Sequence, residues 1–320
     1  MKNTNHSSDY YNIPNKWIII YLKLWKAYLR LRKTFILLEI KWKRVKVFYI
    51  LKLYITYPYS WKSRLAFLEH NKRYEEAIEL CYKKLNKTRS IKSKELAEIY
   101  EIIGRNQRNL NLIDEAYNSF QISQKLNSGS PSLCYEIGLI HFIKRIYPLA
   151  RRSMEIAIKK GYDTAPLRIH LGKVYYQMGM LDQAEDCFKR VLCVYPHEGS
   201  LYFLLGIVYK SKLEYQLAIK AFKNAIEFGS DQKEEHLGLA EIYTRLGYWQ
   251  EAIKEYKRIL EFEPNNFIAH YFLGWIYEIQ GLEDEAIQEY ILANKINPND
   301  GDTKQRLTQL LASPVTMEEF

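Results

Sequence analysis

Several things are missing from this 320-residue chain, and each absence removes a class of function. No run of 18 residues is free of charge, so no segment offers a helix apolar enough to span a bilayer. The first apolar run, Trp17 to Leu22, is interrupted by Lys23, and no secretory leader is expected. The four cysteines, Cys81, Cys134, Cys187 and Cys193, form no CxxC pair; they read as reduced core residues in a reducing, intracellular compartment. A phosphate-cradling glycine loop, a nucleophile elbow and an HExxH pair are all lacking. The seven histidines form no catalytic arrangement: His141, His236 and His270 fall at places expected to be buried, and His170 lies beside one. No enzyme activity, cofactor, metal or small-molecule substrate is expected.

Acidic residues are nearly absent from one segment. The chain holds 47 Lys and Arg against 37 Asp and Glu, a net charge of +10. Twelve of the basic residues lie in residues 1–57, with only Asp9 and Glu39 opposing them, which leaves 35 of each sign in residues 58–320. The chain therefore divides into a basic arm that seeks an anionic surface and a neutral body.

What the body does contain is repetition. From Ala97 to Asp300 it divides without a gap into six blocks of 34: 97–130, 131–164, 165–198, 199–232, 233–266 and 267–300. Place 8 of successive blocks reads Gly104, Gly138, Gly172, Gly206, Ala240, Gly274. Place 20 reads Ala116, Ala150, Ala184, Ala218, Ala252, Ala286, and place 24 is always large: Phe120, Met154, Phe188, Phe222, Tyr256, Tyr290. Small residues at 8 and 20 let two helices of a hairpin approach closely. Places 4, 7, 8 and 11 then make one buried stripe at helical spacing. Pro196, Pro264 and Pro298, at place 32, end the second helix, since the ring cannot continue the hydrogen-bond ladder.

These columns closely resemble the tetratricopeptide repeat, whose signature is W-x2-L-G-x2-Y…A-x3-F…P. The stretch His270 to Pro298 matches it almost place for place; block 131–164 matches least, with His141 where Tyr belongs and Tyr162 where Pro belongs. The resemblance implies an all-α, right-handed α-solenoid of stacked helix-turn-helix hairpins. Residues 58–96 read as a degenerate entry repeat and spacer, with Ala77 at place 20 and Leu65 where Gly should be. Residues 301–320 read as a capping helix and tail, with Leu307, Leu310 and Leu311 on one side.

In this family the first helices line a concave groove that captures a peptide or helix, through places 2, 5, 9 and 12. Here the resemblance points to Arg105, Arg108, Tyr135, Phe142, Lys173, Tyr176, Phe203, Lys210, Tyr271 and Trp275, with Trp275, Tyr271 and Phe203 as preferred anchors. Some members clamp a carboxy-terminal carboxylate with Lys and Asn at these places. No Asn stands at place 9 in any block, which disfavours binding of chaperone tails. An apolar, aromatic groove with scattered cations suits an amphipathic helix or an apolar peptide. The array is neutral, so binding of nucleic acid is not expected.

Between Pro14 and Pro58 there is neither Gly nor Pro, so a long amphipathic helical region is expected in the arm. Alternating steps of four and three from Trp17 pass Tyr21, Leu24, Tyr28, Leu31, Phe35, Leu38, Trp42, Val45 and Tyr49, all apolar. Lys23, Lys26, Arg30 and Lys33 form a separate stripe, with Trp25, Lys43 and Arg44 nearby. Four roles are open for residues 15–57. They are an anionic membrane surface, a protein partner, packing on the repeats as an adaptor's own arm, and nucleic acid. The function expected is a non-enzymatic scaffold that assembles a complex at a membrane surface. The alternative is a soluble adaptor or co-chaperone-like protein. The family's members in plastids and cyanobacteria that assist photosynthetic complexes make a plastid the alternative location.

Overall fold

The computed structural model describes residues 60–87, 91–127, 129–230 and 232–312. The basic arm, with Trp17, Lys23, Trp25, Lys26, Arg30, Lys33, Trp42, Lys43 and Arg44, lies outside the described residues. Among those described there are fifteen α-helices and no strand. The first two are α1 (Trp61–His70) and α2 (Tyr74–Lys87). Then come α3 (Ser93–Asn109), α4 (Ile113–Leu126), α5 (Pro131–Ile143), α6 (Tyr147–Lys159), α7 (Ala165–Gln177) and α8 (Leu181–Leu192). The series continues with α9 (Gly199–Ser211), α10 (Tyr215–Glu227), α11 (Lys233–Leu246), α12 (Trp249–Phe262), α13 (Phe267–Ile279), α14 (Glu283–Ile296) and α15 (Gly301–Ala312).

Local chemistry starts and stops these helices. The side chains of Ser130, Thr164 and Asn266 accept from the amides of Leu133, Leu167 and Ala269, capping α5, α7 and α13. Pro131 and Pro166 sit in the first turn, where a missing N–H costs nothing. Every hairpin turn then uses a left-handed residue at place 15: Asn111, Arg145, Gly179, Leu213, Gly247 and Gly281, with φ between 59 and 74°. Three are glycine, for which this conformation is free; for Arg145 and Leu213 it carries strain of about 1 kcal/mol each. Lys72, with φ 57°, makes the same turn between α1 and α2. There Leu65, Leu68, Ala77 and Cys81 are buried, and Lys84 lies 5.9 Å from the Trp61 ring.

From α3 onward each odd helix pairs with the next, and the pairs stack through α15. A Cβ placed on Gly104, Gly172 or Gly206 would come within 2.5 to 2.7 Å of Phe120, Phe188 or Phe222. The small place-8 residue is therefore a seat for the place-24 ring of the partner helix. Ala at place 20 is fully buried in all six pairs. Each buried place-24 ring contributes about 2–3 kcal/mol of transfer free energy.

The buried stripe of the first helices differs from the expected one. Places 3, 7 and 10 are buried throughout, for example Leu167, Leu171 and Val174 in α7, whereas places 4 and 11 are buried only in some pairs. The first helix is covered from two sides, by its own partner and by the flanking pairs, so the deepest line runs midway between them. Place 11 instead lies under the next layer: Lys189, Lys223 and Lys257 sit 5.9 to 6.0 Å from the rings of Tyr209, Tyr243 and Tyr277. Each such cation–π stack ties one pair to the next and contributes on the order of 0.5–1 kcal/mol. Cys81 and Cys187 are buried, the latter's thiol pushed up to about 11 by burial, but Cys193 is exposed at the C-cap of α8, where the chain leaves the packed stripe.

Candidate functional site

First helices touch one another from pair to pair, α3 with α5, α5 with α7, and α9 with α11. Among the described residues no two second helices make contacts of that extent, so the stack is closer on the side of the first helices, taken as its inner face. The inner face therefore carries places 2, 5, 9 and 12.

At the α3–α5–α7 end this face is polar and partly locked. Arg108 Nε faces Glu136 Oε2 at 3.2 Å, an ion-pair distance without hydrogen-bond alignment. Glu136 is buried, and burial holds its carboxyl above the usual range, with Arg108 and then Arg105 pulling it back. Glu101 accepts from Ser132 at 2.7 Å and from Ser130 at 3.1 Å. Arg105 is half-buried, its Nε enclosed and with no acceptor among the described residues. Tyr135 is buried rather than open to the groove: its hydroxyl lies 3.1 Å from His170 Nδ1, and its ring lies against Tyr162 at 5.8 Å. His170 Nδ1 also lies 2.8 Å from the Pro166 carbonyl, which places the proton on that nitrogen. Burial lowers the His170 pKa, with Lys173 and Arg108 adding to the effect against the opposing Pro166 bond. Phe142 packs edge-on against that ring at 6.2 Å.

The middle of the face is more open. Ile169, Tyr176, Phe203 and Ile207 are half-buried and rest on one core that runs from Ala184 to Ile276. Phe203 lies 5.9 Å from the Phe222 ring, and Tyr176 accepts a hydrogen bond from Ser211 at 3.3 Å. Lys173 has no acceptor among the described residues, whereas Lys210 is paired with Glu241 at 2.7 Å. At the far end Tyr271 donates to Asp302 and lies among Phe267, Phe272 and Tyr290. Trp275 is half-buried, edge-on to Trp249 at 5.9 Å.

The ten residues named from sequence thus separate by their partners. Arg105, Phe142, Lys173, Tyr176, Phe203 and Trp275 keep a side-chain edge on the inner face. Tyr135 and Tyr271 serve the joints between pairs, and Arg108 and Lys210 are held by Glu136 and Glu241. Glu136 and His170, both at place 6, also shape the face but were not among the residues named. A carboxylate in a run of apolar residues, as in Cys134 to Ile140, is the signal that marks Glu136. Among the described residues no group of three or more His, Cys, Asp or Glu is placed to hold a metal ion, and no helix is long and apolar enough to cross a membrane.

Comparison with known proteins agrees with this architecture. Residues 169–235 and 268–300 match tetratricopeptide repeat profiles, and residues 240–281 match a TPR repeat profile. Over 119 residues the chain is 26% identical to the chloroplastic tetratricopeptide repeat domain-containing protein PYG7 of Arabidopsis thaliana; the match covers 35% of this chain and 40% of that protein. The fold is shared with the C-terminal part of a TPR repeat-containing protein of Cytophaga hutchinsonii (TM-score 0.61, 18% identity, 78% of this chain and 99% of that one). It is also shared with a chain of the APC/C hetero-tetramer Cut9–Hcn1, of which the chain spans about half (TM-score 0.58, 19% identity, 82% of this chain and 51% of that one). PilF of Pseudomonas aeruginosa is a further structural neighbour (TM-score 0.56, 13% identity, 68% and 99%).

Proposed function

Because the chain is a tetratricopeptide-repeat protein, and so a protein-interaction scaffold, we propose that it captures a peptide or amphipathic helix of a protein partner in its concave face and acts in the assembly of a complex at a membrane surface. One observation carries the groove reading. Arg105 and Lys173 have no hydrogen-bond acceptor among the described residues, while Arg108 and Lys210 are ion-paired, and half-exposed Ile169 and Tyr176 flank Lys173 on α7, with Phe203 and Ile207 on the next first helix. Cations without a hydrogen-bond acceptor near an apolar strip are what an amphipathic segment with acidic residues satisfies. The membrane half rests on the arm, whose basic and apolar stripes suit a headgroup boundary. The chloroplastic relative supports a plastid as the location.

The groove is tested by affinity capture from a membrane fraction of the source cells, comparing the full chain with an Arg105→Glu/Lys173→Glu/Tyr176→Ala variant of equal thermal stability. Loss of charge and ring together weakens retention of the partner by roughly tenfold or more. Equal retention by both proteins removes the concave face from the account.

A further inference from the structure

The second hairpin, α5–α6, is the one that matches the repeat pattern least, and it carries the largest cationic excess of the six blocks. Block 131–164 holds six cations, Lys144, Arg145, Arg151, Arg152, Lys159 and Lys160, against Glu136, Glu155 and Asp163. All three carboxylates are already engaged, Glu136 by Arg108, Glu155 by Tyr175 and Arg151, and Asp163 by Arg168. The inward side of α6 is Ala150, Met154 and Ala157, all fully buried. Its outward side reads Leu149, Arg152, Ile156, Lys159, at steps of three, four and three, with Arg145 in the turn before it, and all five are exposed. Basic and aliphatic side chains alternate along that line. Arg145, Arg152 and Lys159 have no carboxylate partner among the described residues. Ile143 and Ile146 extend the apolar part at 45% and 41% exposure, beside Leu149 at 45% and Ile156 at 36%.

The same five places in the other hairpins show how unusual this is. Each of them carries at least one carboxylate, Glu115, Asp186, Glu227, Glu251 or Glu285, and only the second hairpin has none. Arg145 also occupies the left-handed turn position that is glycine in three hairpins.

We infer that the outer face of α5–α6 docks on an anionic lipid bilayer, with Leu149 and Ile156 at the headgroup boundary and Arg145, Arg152 and Lys159 on lipid phosphates. Aliphatic groups spaced between cations fit an interface that is apolar inside and negatively charged at its rim. Leu149, Arg152, Ile156 and Lys159 belong to one α6 stripe, with Arg145 in the turn that leads into it, so a single helix lying flat on the surface can satisfy them. The contact lies within the repeat array and is distinct from residues 15–57; it adds to the membrane half of the proposed function without depending on the arm.

The test is flotation of the full chain with vesicles of phosphatidylcholine alone and of phosphatidylcholine mixed with phosphatidylglycerol. Three variants accompany it: Arg145→Gly/Arg152→Gln/Lys159→Gln, Leu149→Gln/Ile156→Gln, and the arm variant Lys23→Gln/Lys26→Gln/Arg30→Gln/Lys33→Gln. All substituted hairpin positions are exposed, and thermal melts confirm that each variant folds. The triple hairpin variant lowers partitioning onto anionic vesicles about 100-fold, from the usual contribution of each basic group near such a surface. The aliphatic pair lowers it as well, and vesicles of phosphatidylcholine alone bind little of any form. If the arm variant loses binding and both hairpin variants keep it, this inference is overturned and the arm's membrane role stands. If the hairpin variants lose binding and the arm variant keeps it, the inference stands and the arm's role falls. A wild-type chain that ignores anionic vesicles overturns both.

Discussion

Gly206→Val removes about 3 kcal/mol or more from the stability of the array, and the loss is expected to split its unfolding into separate transitions. A Cβ at Gly206 would stand 2.7 Å from two atoms of the Phe222 ring. That ring cannot retreat, because on its other edge a Cβ at Gly238 would stand 2.6 Å away. Phe222 is a wedge between two glycines of successive first helices, 1% exposed and with no slack. A branched side chain therefore forces the α9–α10 and α10–α11 joints apart. Each pair is stabilised mainly by its neighbours, so weakening two joints uncouples the early pairs from the late ones. Urea denaturation followed by far-UV circular dichroism reads the effect as an earlier, broader or biphasic curve. The double variant with Phe222→Ala recovers part of the loss, since it opens the space that the valine needs. A single curve superimposable on the wild type contradicts the packing described.

Arg108→Met destabilises the chain by about 3 kcal/mol at neutral pH, because it strands Glu136 inside the α3–α5 joint. The side chains of the pair are 23% and 9% exposed, so solvent does little to replace the missing cation. The pH dependence has a fixed sign. Burial raises the folded-state pKa of Glu136 above its unfolded value, so the folded chain binds more protons within that interval. Stability from this group is greatest below the ordinary carboxylate value, falls as pH rises through the interval, and is level above the raised pKa. Arg108 is among the groups that pull the value down, so its removal widens the interval upward. The variant's defect is thus small in acid and full at neutral pH. Arg108→Met/Glu136→Gln abolishes the pH-dependent part. Denaturation midpoints at several pH values check this; a defect that grows toward acid contradicts it.

The architecture was legible because the repeat imposes the same physical demand six times. Gly at place 8 and a large side chain at place 24 recur since a ring must fit between two backbones, and the structure puts Phe120 on Gly104 and Phe188 on Gly172. The pattern points to places 4, 7, 8 and 11; places 7 and 8 are buried in every pair, but 3 and 10 rather than 4 and 11 complete the stripe. Periodicity finds the apolar arc of a helix, but how many neighbours cover its edges depends on the stacking. The groove was legible only as a set of positions. Arg105 and Arg108 look alike in sequence, and only the fold puts Glu136 opposite one of them. Tyr135 and Tyr176 likewise differ in depth, because Tyr162, from the irregular turn that replaces proline, closes over the first. The left-handed turn at Asn111, Arg145 and Leu213 was invisible to residue type, since glycine marks it in only half of the hairpins.

Capture of a protein partner on the inner face is tested by site-specific photo-crosslinking in the full chain. A benzophenone side chain replaces Tyr176 on the inner face in one protein and exposed Lys220 on the outer face of α10 in another. Both are irradiated in the membrane fraction of the source cells. A discrete crosslinked protein is expected from position 176, absent from position 220 and lost when Arg105 and Lys173 are reversed in charge. Crosslinks that form from position 220 alone, or that survive the charge reversal, place the partner elsewhere and contradict it.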